Sequence, residues 1–272
     1  PMFIFFSTNL PHGPVDIPPE ENTYAGSPAI RQAYGNASGT NRECAGAAEE
    51  YASMVDKLDR QVGAIVDQVR KLGLDKRTII IFSSDNGHEL YYRTDKGRGR
   101  GPDCHGGVLD GTGELLDVFR GSRGRVGPNN AMANLAGLKW TNHEGGIRVP
   151  LIISWPGTLP HGKVCHSLVA NYDQMASFAD LAGIRMPEGK DAVSYMDILS
   201  GNSARQRDYV VVDHTVITGD GWKLTQKQNK PFLFHIGRDP EERNNLAGTR
   251  KDQLEKLRAI YRKEVGSPRK DR

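Results

Sequence analysis

The sequence predicts an α/β fold with a mainly parallel central sheet flanked by helices, followed by a small C-terminal α+β subdomain. Two observations carry this prediction. A long amphipathic helix over about residues 43–72 leads through a short loop into the apolar, β-branched segment 78–84, an order typical of a parallel crossover unit. Beyond Gly201 the apolar segments become short and are joined by turns, which is typical of antiparallel strands.

The first elements are an apolar run, a polar loop and the long helix. Residues 2–7 predict a strand buried on both faces. Residues 15–42 are rich in Pro, Gly, Asn and Ser and predict irregular surface structure. In the helix over 43–72, apolar side chains recur three and four residues apart, and Gly73 follows where a C-terminal cap favours a left-handed residue. Because the chain opens on a core strand without an initiator Met, we expect that sequence precedes Pro1.

Three further segments complete the main domain, residues 1–205. The segment Leu151–Trp155 predicts a second buried strand after the one at 78–84. Residues 167–182 follow a helical period. Between these elements, residues 88–138 are rich in Gly, and a loop of that length inside a compact domain is usually functional or an insertion.

The subdomain, residues 206–272, is predicted from short elements. Tyr209–Val212, Trp222–Thr225 and Phe232–Ile236 predict strands, and residues 250–264 predict a final helix with one apolar face.

Composition excludes some classes of protein. The net charge of +3 is too small for a typical nucleic-acid-binding protein. No apolar run approaches the roughly 18 residues of a membrane span. The three cysteines, Cys44, Cys104 and Cys165, have no metal-binding spacing.

A polar turn follows the second predicted strand. Asp85 and Asn86 supply a carboxylate and an amide oxygen, which suit a hard cation such as Ca²⁺ or Mg²⁺. Gly87 would allow the sharp turn that brings both side chains to one point. The alternative is an ordinary turn of the Asx type after a strand.

Two basic residues lie in loops where a charged ligand could bind. His12 stands between Pro11 and Pro14, which restrict the backbone, and a fixed imidazole can donate to an anion or act as a general acid. Lys139 precedes a Glu-Gly-Gly sequence and can meet a tetrahedral oxyanion. The alternatives are a loop histidine and an exposed lysine without function. A last motif, Asp239–Leu246, predicts a structural turn into a helix.

Taken together these residues resemble the sulfatase family of the alkaline-phosphatase-like superfamily. The resemblance covers nearly the whole chain in the family's order and is most like bacterial sulfatases acting on glycans or aryl esters. Residues 1–205 would then be the C-terminal part of the catalytic domain, with an alkaline-phosphatase-like core. The matching motifs are Pro11–Pro14, Leu58–Gly63, Ile80–Gly87, Gly137–Lys139, Glu144–Ile152, Trp155–Gly157, Gly221–Leu224 and Asp239–Ala247.

The resemblance implies roles for single residues. Asp85 and Asn86 match calcium ligands of the family, and Mg²⁺ is the other candidate ion. Lys139 matches the lysine that contacts the sulfate, and His12 matches the histidine near the leaving group. His88 and His143 are candidate substrate-binding residues, although His143 stands where the family often has a bulky aromatic residue.

The resemblance also implies a formylglycine nucleophile, made from Cys or Ser in a C/S-x-P-S/A-R motif. The 272 residues contain no such motif. We therefore expect the full-length protein to be a calcium-dependent sulfuric ester hydrolase acting on a sulfated carbohydrate or aryl sulfate, and this chain alone to be inactive. Two alternatives stay open: a phosphate or phosphonate ester hydrolase of the same superfamily, and a non-catalytic module that binds sulfated sugars. The resemblance implies a periplasmic or secreted protein.

Overall fold

The computed structural model describes residues 2–12, 17–33, 40–87, 135–136, 139, 141–201, 207–227 and 230–266. The helices are α1 (Pro28–Ala33), α2 (Thr40–Lys71), α3 (Glu144–Ile147), α4 (Asp173–Leu181), α5 (Met196–Leu199) and α6 (Lys251–Glu264). The strands are β1 (Ile80–Ser83), β2 (Leu151–Ser154), β3 (Tyr209–Val212), β4 (Thr215–Thr218), β5 (Trp222–Lys227) and β6 (Lys230–His235). Of the helices described, none combines the length and hydrophobicity of a membrane span.

The main domain contains the strand pair β1–β2. The two strands are antiparallel, with Ile81 opposite Ile153 and Phe82 opposite Ile152. Both strands were predicted, and the α/β class is confirmed. The parallel pairing expected for the central sheet is not found among the strands that the structure describes, because β2 returns alongside β1 in the opposite direction.

The subdomain is a four-stranded antiparallel sheet in the order β3-β4-β5-β6 with α6 against it. Its core is apolar, because alternate strand residues and one face of α6 meet there. Strand β4 was not predicted; its four residues are all buried, and Thr215 and Thr218 hid its apolar character. The buried core residues are Val216, Leu224, Leu233, Leu254, Leu257 and Tyr261. The boundary predicted at residue 205 stays a prediction.

The segment before His12 packs against helices α1 and α2. The predicted helix α2 is confirmed, and Gly73 after it has the left-handed φ of +65° that a C-terminal cap requires. Leu10 packs against a core cluster of α1 and α2 that includes Ile30 and Met54. This contact fixes the chain two residues before His12.

The predicted buried strand at residues 2–7 is wrong. These residues form no strand, and the side chains of Met2–Phe6 are between 57% and 81% exposed. The physical reason is the lack of a neighbour: β1 and β2 pair with each other, and within the described ranges no strand pairs with this run. Phe3 meets Phe178 of α4 edge to face, with ring centroids 5.6 Å apart.

Two predicted boundaries also change. Part of the segment 15–42, expected to be irregular, forms α1. The helix expected over 167–182 begins only at Asp173, because the side chain of Asp173 accepts a hydrogen bond from the backbone N–H of Ala170 (2.9 Å) and closes a turn there.

Candidate active site

His12 and Lys139 are 127 residues apart in sequence and meet in the structure. The Lys139 Nζ lies 3.0 Å from the His12 Nε2. An ammonium group has no lone pair, so in this contact Lys139 donates and the Nε2 accepts. His12 is held by a turn in which its N–H donates to the Asn9 carbonyl (2.7 Å). The two basic candidates of the sequence therefore form one pair.

The turn after β1 places Asp85 and Asn86 side by side. The Asn86 N–H donates to the Asp85 Oδ1 (2.9 Å), and the Asn86 Nδ2 donates to the Gly87 carbonyl (2.8 Å). These are local bonds between a side chain and the backbone of the adjacent residue. They are not those of an Asx turn, in which Asp85 would accept from the N–H two residues on, because the Gly87 N–H donates to the Gly146 carbonyl. They also fix the Asn86 amide, so its Oδ1 is available to another donor or to a cation.

Gly87 is required by the close approach of two backbones. Its N–H donates to the Gly146 carbonyl (2.9 Å). A Cβ at position 87 would overlap the Gly145 carbonyl and would lie 2.7 Å from the backbone carbon of Gly146. The polar turn after β1 is thus attached directly to the Glu-Gly-Gly segment.

The same segment is attached to Lys139. The Gly145 N–H donates to the Ala136 carbonyl (2.6 Å), which closes a loop between these residues. Lys139 lies in this loop, and its Cα is at most about 11 Å from that of Ala136, three residues away. One hydrogen-bonded junction, formed by Ala136, Gly145, Gly146 and Gly87, therefore joins the predicted cation turn to the Lys139 loop.

Asp85 and Asn86 fit a hard cation only in part. Their oxygens are the ligand type that Ca²⁺ and Mg²⁺ prefer, but Ca²⁺ takes about six to eight oxygen ligands. Within the described ranges, no group of three or more His, Cys, Asp or Glu side chains could hold a metal ion. A cation bound here needs further ligands, and the calcium site stays a prediction.

The sequence did not predict a buried cluster of charged side chains that adjoins the junction at Glu144, the residue before Gly145. The cluster consists of His143, Glu144, Lys223 and Glu242. Lys223 is fully buried, and its Nζ donates to Glu144 (3.0 Å) and to Glu242 (2.9 Å). Glu242 also accepts from the Glu144 N–H (2.8 Å) and lies 2.8 Å from the His143 Nδ1. His143 is therefore bound to protein through one ring nitrogen, and its predicted substrate role is untested.

Glu242 is ionised in this cluster for a physical reason. Burial by itself would raise the pKa of Glu242, but the hydrogen bond from His143 and the positive charge of Lys223 outweigh burial and lower the pKa below its ordinary value. A carboxylate whose pKa is lowered by folding stabilises the protein above its unfolded pKa of about 4.3. That stabilisation is lost as the pH falls through the lower folded pKa.

We expect an acid-dependent stability difference between the wild type and Glu242→Gln. At pH 7 the wild type should be the more stable, because only it has both carboxylates, Glu144 and Glu242, that pair with Lys223. Below about pH 4 the difference should narrow, because protonated Glu242 resembles glutamine. Urea unfolding at pH 7, 5, 4 and 3 measures this. A difference that is constant over that range would contradict the assignment.

The Asp239–Leu246 motif is a turn and not the start of a helix. Asp239 accepts hydrogen bonds from the N–H groups of Arg243 (3.1 Å) and Asn244 (2.9 Å). Glu242 has a left-handed φ of +48°, which directs its side chain into the buried cluster; α6 begins only at Lys251. The Asp-Pro-Glu-Glu sequence indicated a turn, but it did not indicate that the Glu242 side chain would be buried against Lys223.

Other predicted residues lie outside the described part of the chain. His88 and most of the 88–138 loop are among them, as are the side chains of Cys44 and Cys104. Cys165 is a free and exposed thiol.

Comparisons with known proteins show the family of this chain. The sulfatase family model matches residues 1–184, more than half of the chain, and the chain belongs to the sulfatase family. A second model, for the C-terminal region of N-sulphoglucosamine sulphohydrolase, matches residues 139–270.

Individual relatives come from mammals and bacteria. The chain is 24% identical to N-acetylgalactosamine-6-sulfatase of Canis lupus familiaris, over 96% of this chain and 47% of the relative. It is 26% identical to N-acetylgalactosamine-6-O-sulfatase of Bacteroides thetaiotaomicron, over 70% of this chain and 37% of the relative. The chain therefore spans less than half the length of these two relatives.

Solved structures share the fold. The crystal structure of Ps i-CgsB in complex with k-i-k-neocarrahexaose superposes with a TM-score of 0.59 at 22% identity, covering 93% of this chain and 48% of that one.

Proposed function

We propose that this chain is the C-terminal part of a sulfuric ester hydrolase that removes sulfate from a sulfated sugar. The observation that carries the proposal is the contact between Lys139 and His12 (3.0 Å) in a loop joined by backbone hydrogen bonds to the Asp85–Asn86 turn. Family membership and the names of the relatives support this reaction class.

The residues of this chain have separate tasks in the proposed reaction. Formylglycine and calcium, neither of which these residues provide alone, would supply the nucleophile and draw charge from the sulfate oxygens. Lys139 contacts the sulfate and bridging oxygens, where negative charge grows as the ester bond breaks. His12 supplies a proton to the leaving oxygen of the sugar. Asp85 and Asn86 provide two of the oxygen ligands for the cation.

The substrate proposed for the first assay is a sugar carrying a 6-sulfate. The two relatives described above are named for the 6-sulfate of N-acetylgalactosamine. Aryl sulfate remains a useful second substrate, because an arylsulfatase of Klebsiella aerogenes is 28% identical over 49% of this chain.

Lys139→Ala should remove most of the activity of the full-length enzyme. We expect kcat/KM for sulfate release to fall by about 10²–10³-fold, because one fixed group that stabilises the transition-state charge is lost. Ion chromatography of released sulfate measures this. Lys163→Ala, on an exposed loop residue, is the control and should retain wild-type activity.

Three results would contradict the proposed function. Wild-type release of phosphate without sulfate would favour the phosphatase alternative. Binding of sulfated sugar by the full-length protein without release would favour the binding module. Hydrolysis by residues 1–272 alone would overturn the assignment of the nucleophile to sequence outside this chain.

A further inference from the structure

The charged cluster of His143, Glu144, Lys223 and Glu242 connects the subdomain to the candidate site. Lys223 lies in β5, and Glu242 lies in the turn after β6. Glu144 begins α3, directly before the two glycines of the junction. The carboxylates of Glu144 and Glu242 and the ammonium of Lys223 are almost completely buried, so the opposite charges are needed to stabilise one another.

Glu242 binds both the side chain and the backbone at the start of α3. One carboxylate oxygen, Oε1, accepts from Lys223 (2.9 Å) and from the Glu144 N–H (2.8 Å). The other oxygen, Oε2, is 2.8 Å from the His143 Nδ1. A single side chain thus fixes two consecutive residues, His143 and Glu144, at the end of the Lys139 loop.

The turn that carries Glu242 also holds the other end of that loop. The Ala136 N–H donates to the Pro240 carbonyl (3.1 Å), and the Ala136 carbonyl accepts from the Gly145 N–H (2.6 Å). The loop from Ala136 to Gly145 is therefore attached at both ends to the segment 240–242. Gly146 then holds Gly87, which follows Asp85 and Asn86 directly.

We propose that Glu242 and Lys223 are positioning residues, which act through the 136–146 loop to set the place of Lys139 and of the Asp85–Asn86 turn. The expected effect on catalysis rests on the proposed function of that site. The geometric part of the inference, that Glu242 holds the 136–146 loop in place, does not depend on the proposed function. Burying two carboxylates around one lysine costs desolvation free energy. The backbone that they fix carries Lys139 and His143, and through Gly146 it holds the turn of Asp85 and Asn86.

Hydrogen exchange of single amides in the 272-residue chain tests the geometric part. In Glu242→Gln, the Gly87 and Gly145 amides should exchange at least about tenfold faster than in the wild type, because local opening of the junction becomes easier. Amides of the β4–β6 ladder and of α6 should be accelerated less than these two glycines, and by no more than the loss of global stability that urea unfolding of the same variant gives. The control is Glu255→Gln, which removes a carboxylate that pairs with Arg258 on the surface.

The activity of the full-length enzyme tests the link to function. Per folded molecule, Glu242→Gln should lower kcat by about 10–100-fold and leave KM within about twofold, because small displacements of a catalytic group cost rate more than binding. Should Glu242→Gln fail to fold, Glu242→Asp, which keeps the charge and shortens the reach, replaces it in both measurements.

The outcomes separate the two proposals. Selective exchange at Gly87 and Gly145 together with a lowered kcat supports the inference. Acceleration at these two glycines that is no larger than in the β4–β6 ladder and α6, or no change at these two glycines, overturns it, as does an unchanged kcat per folded molecule. A wild-type enzyme that releases no sulfate overturns the proposed function, and the exchange result still decides whether Glu242 positions the loop.

Discussion

Lys223→Met should destabilise the protein by about 3–5 kcal/mol, because it leaves the buried carboxylates of Glu144 and Glu242 without their shared cation. Both carboxylates lie within 3.0 Å of the Lys223 ammonium. The remaining basic neighbours are His143 and Arg148, which lies 3.9 Å from Glu144, and both are more exposed than Lys223. They compensate only part of the lost charge.

Urea unfolding at pH 7 measures this loss of stability. The control is Lys256→Met, on an exposed lysine 3.9 Å from Asp220, where a surface pair contributes about 0–1 kcal/mol. A cost at Lys223 no larger than that of the control would contradict a buried charge cluster.

A triple variant keeps the Lys223 prediction testable if the single variant does not fold. Lys223→Met combined with Glu144→Gln and Glu242→Gln removes all three charges. Because replacing a whole buried ion cluster by neutral groups costs less than removing one partner, this variant should be more stable than Lys223→Met. An equal or lower stability would mean that packing volume, and not charge, is what Lys223 supplies.

Gly87→Ala should also lower both stability and kcat, because it disturbs a close contact between two backbone segments. The added methyl group overlaps the Gly145 carbonyl, and the neighbouring atoms are backbone, which cannot turn away as a side chain would. We expect a cost of about 1–3 kcal/mol from overpacking and about 1 kcal/mol more if the hydrogen bond to Gly146 is lost. In the full-length enzyme, displacement of the Asp85–Asn86 turn should lower kcat by about 100-fold.

Gly63→Ala is the matched control for Gly87→Ala. Gly63 lies in α2 with no atom within 4 Å of an added Cβ. Alanine there should be neutral or should stabilise by about 0.5–1 kcal/mol, because glycine is unfavourable inside a helix. Thermal unfolding of both variants and their sulfate release give the comparison. A Gly87→Ala protein as stable and active as Gly63→Ala would show that the junction is not tight.

The sequence predicted the elements whose pattern is local. Helix α2, strands β1 and β2 and the final helix follow from apolar periodicity, and the left-handed Gly73 follows from its place after the helix. The family resemblance implied that Lys139 and His12 both lie near the sulfate, and the two side chains do meet.

The sequence pattern gave a wrong prediction where pairing with another strand decides whether a segment forms a buried strand. Residues 2–7 have the composition of a buried strand, yet they are exposed, because a strand needs neighbours to which it can donate and from which it can accept hydrogen bonds. Strand β4 was missed for the opposite reason: its threonines look polar, but Thr215 bonds to Thr225 across the sheet (2.9 Å) and is buried.

By itself the sequence determined the fold class, the family and the residues that carry the proposed chemistry, because these are written as short motifs and periodic patterns. Only the tertiary structure showed that Lys223 and Glu242 form a buried cluster with Glu144, next to the candidate site. In the sequence they are 19 residues apart and read as a strand lysine and a turn glutamate. Only folding buries them beside Glu144, 79 residues before Lys223, and burial is what turns ordinary surface charges into an obligatory cluster.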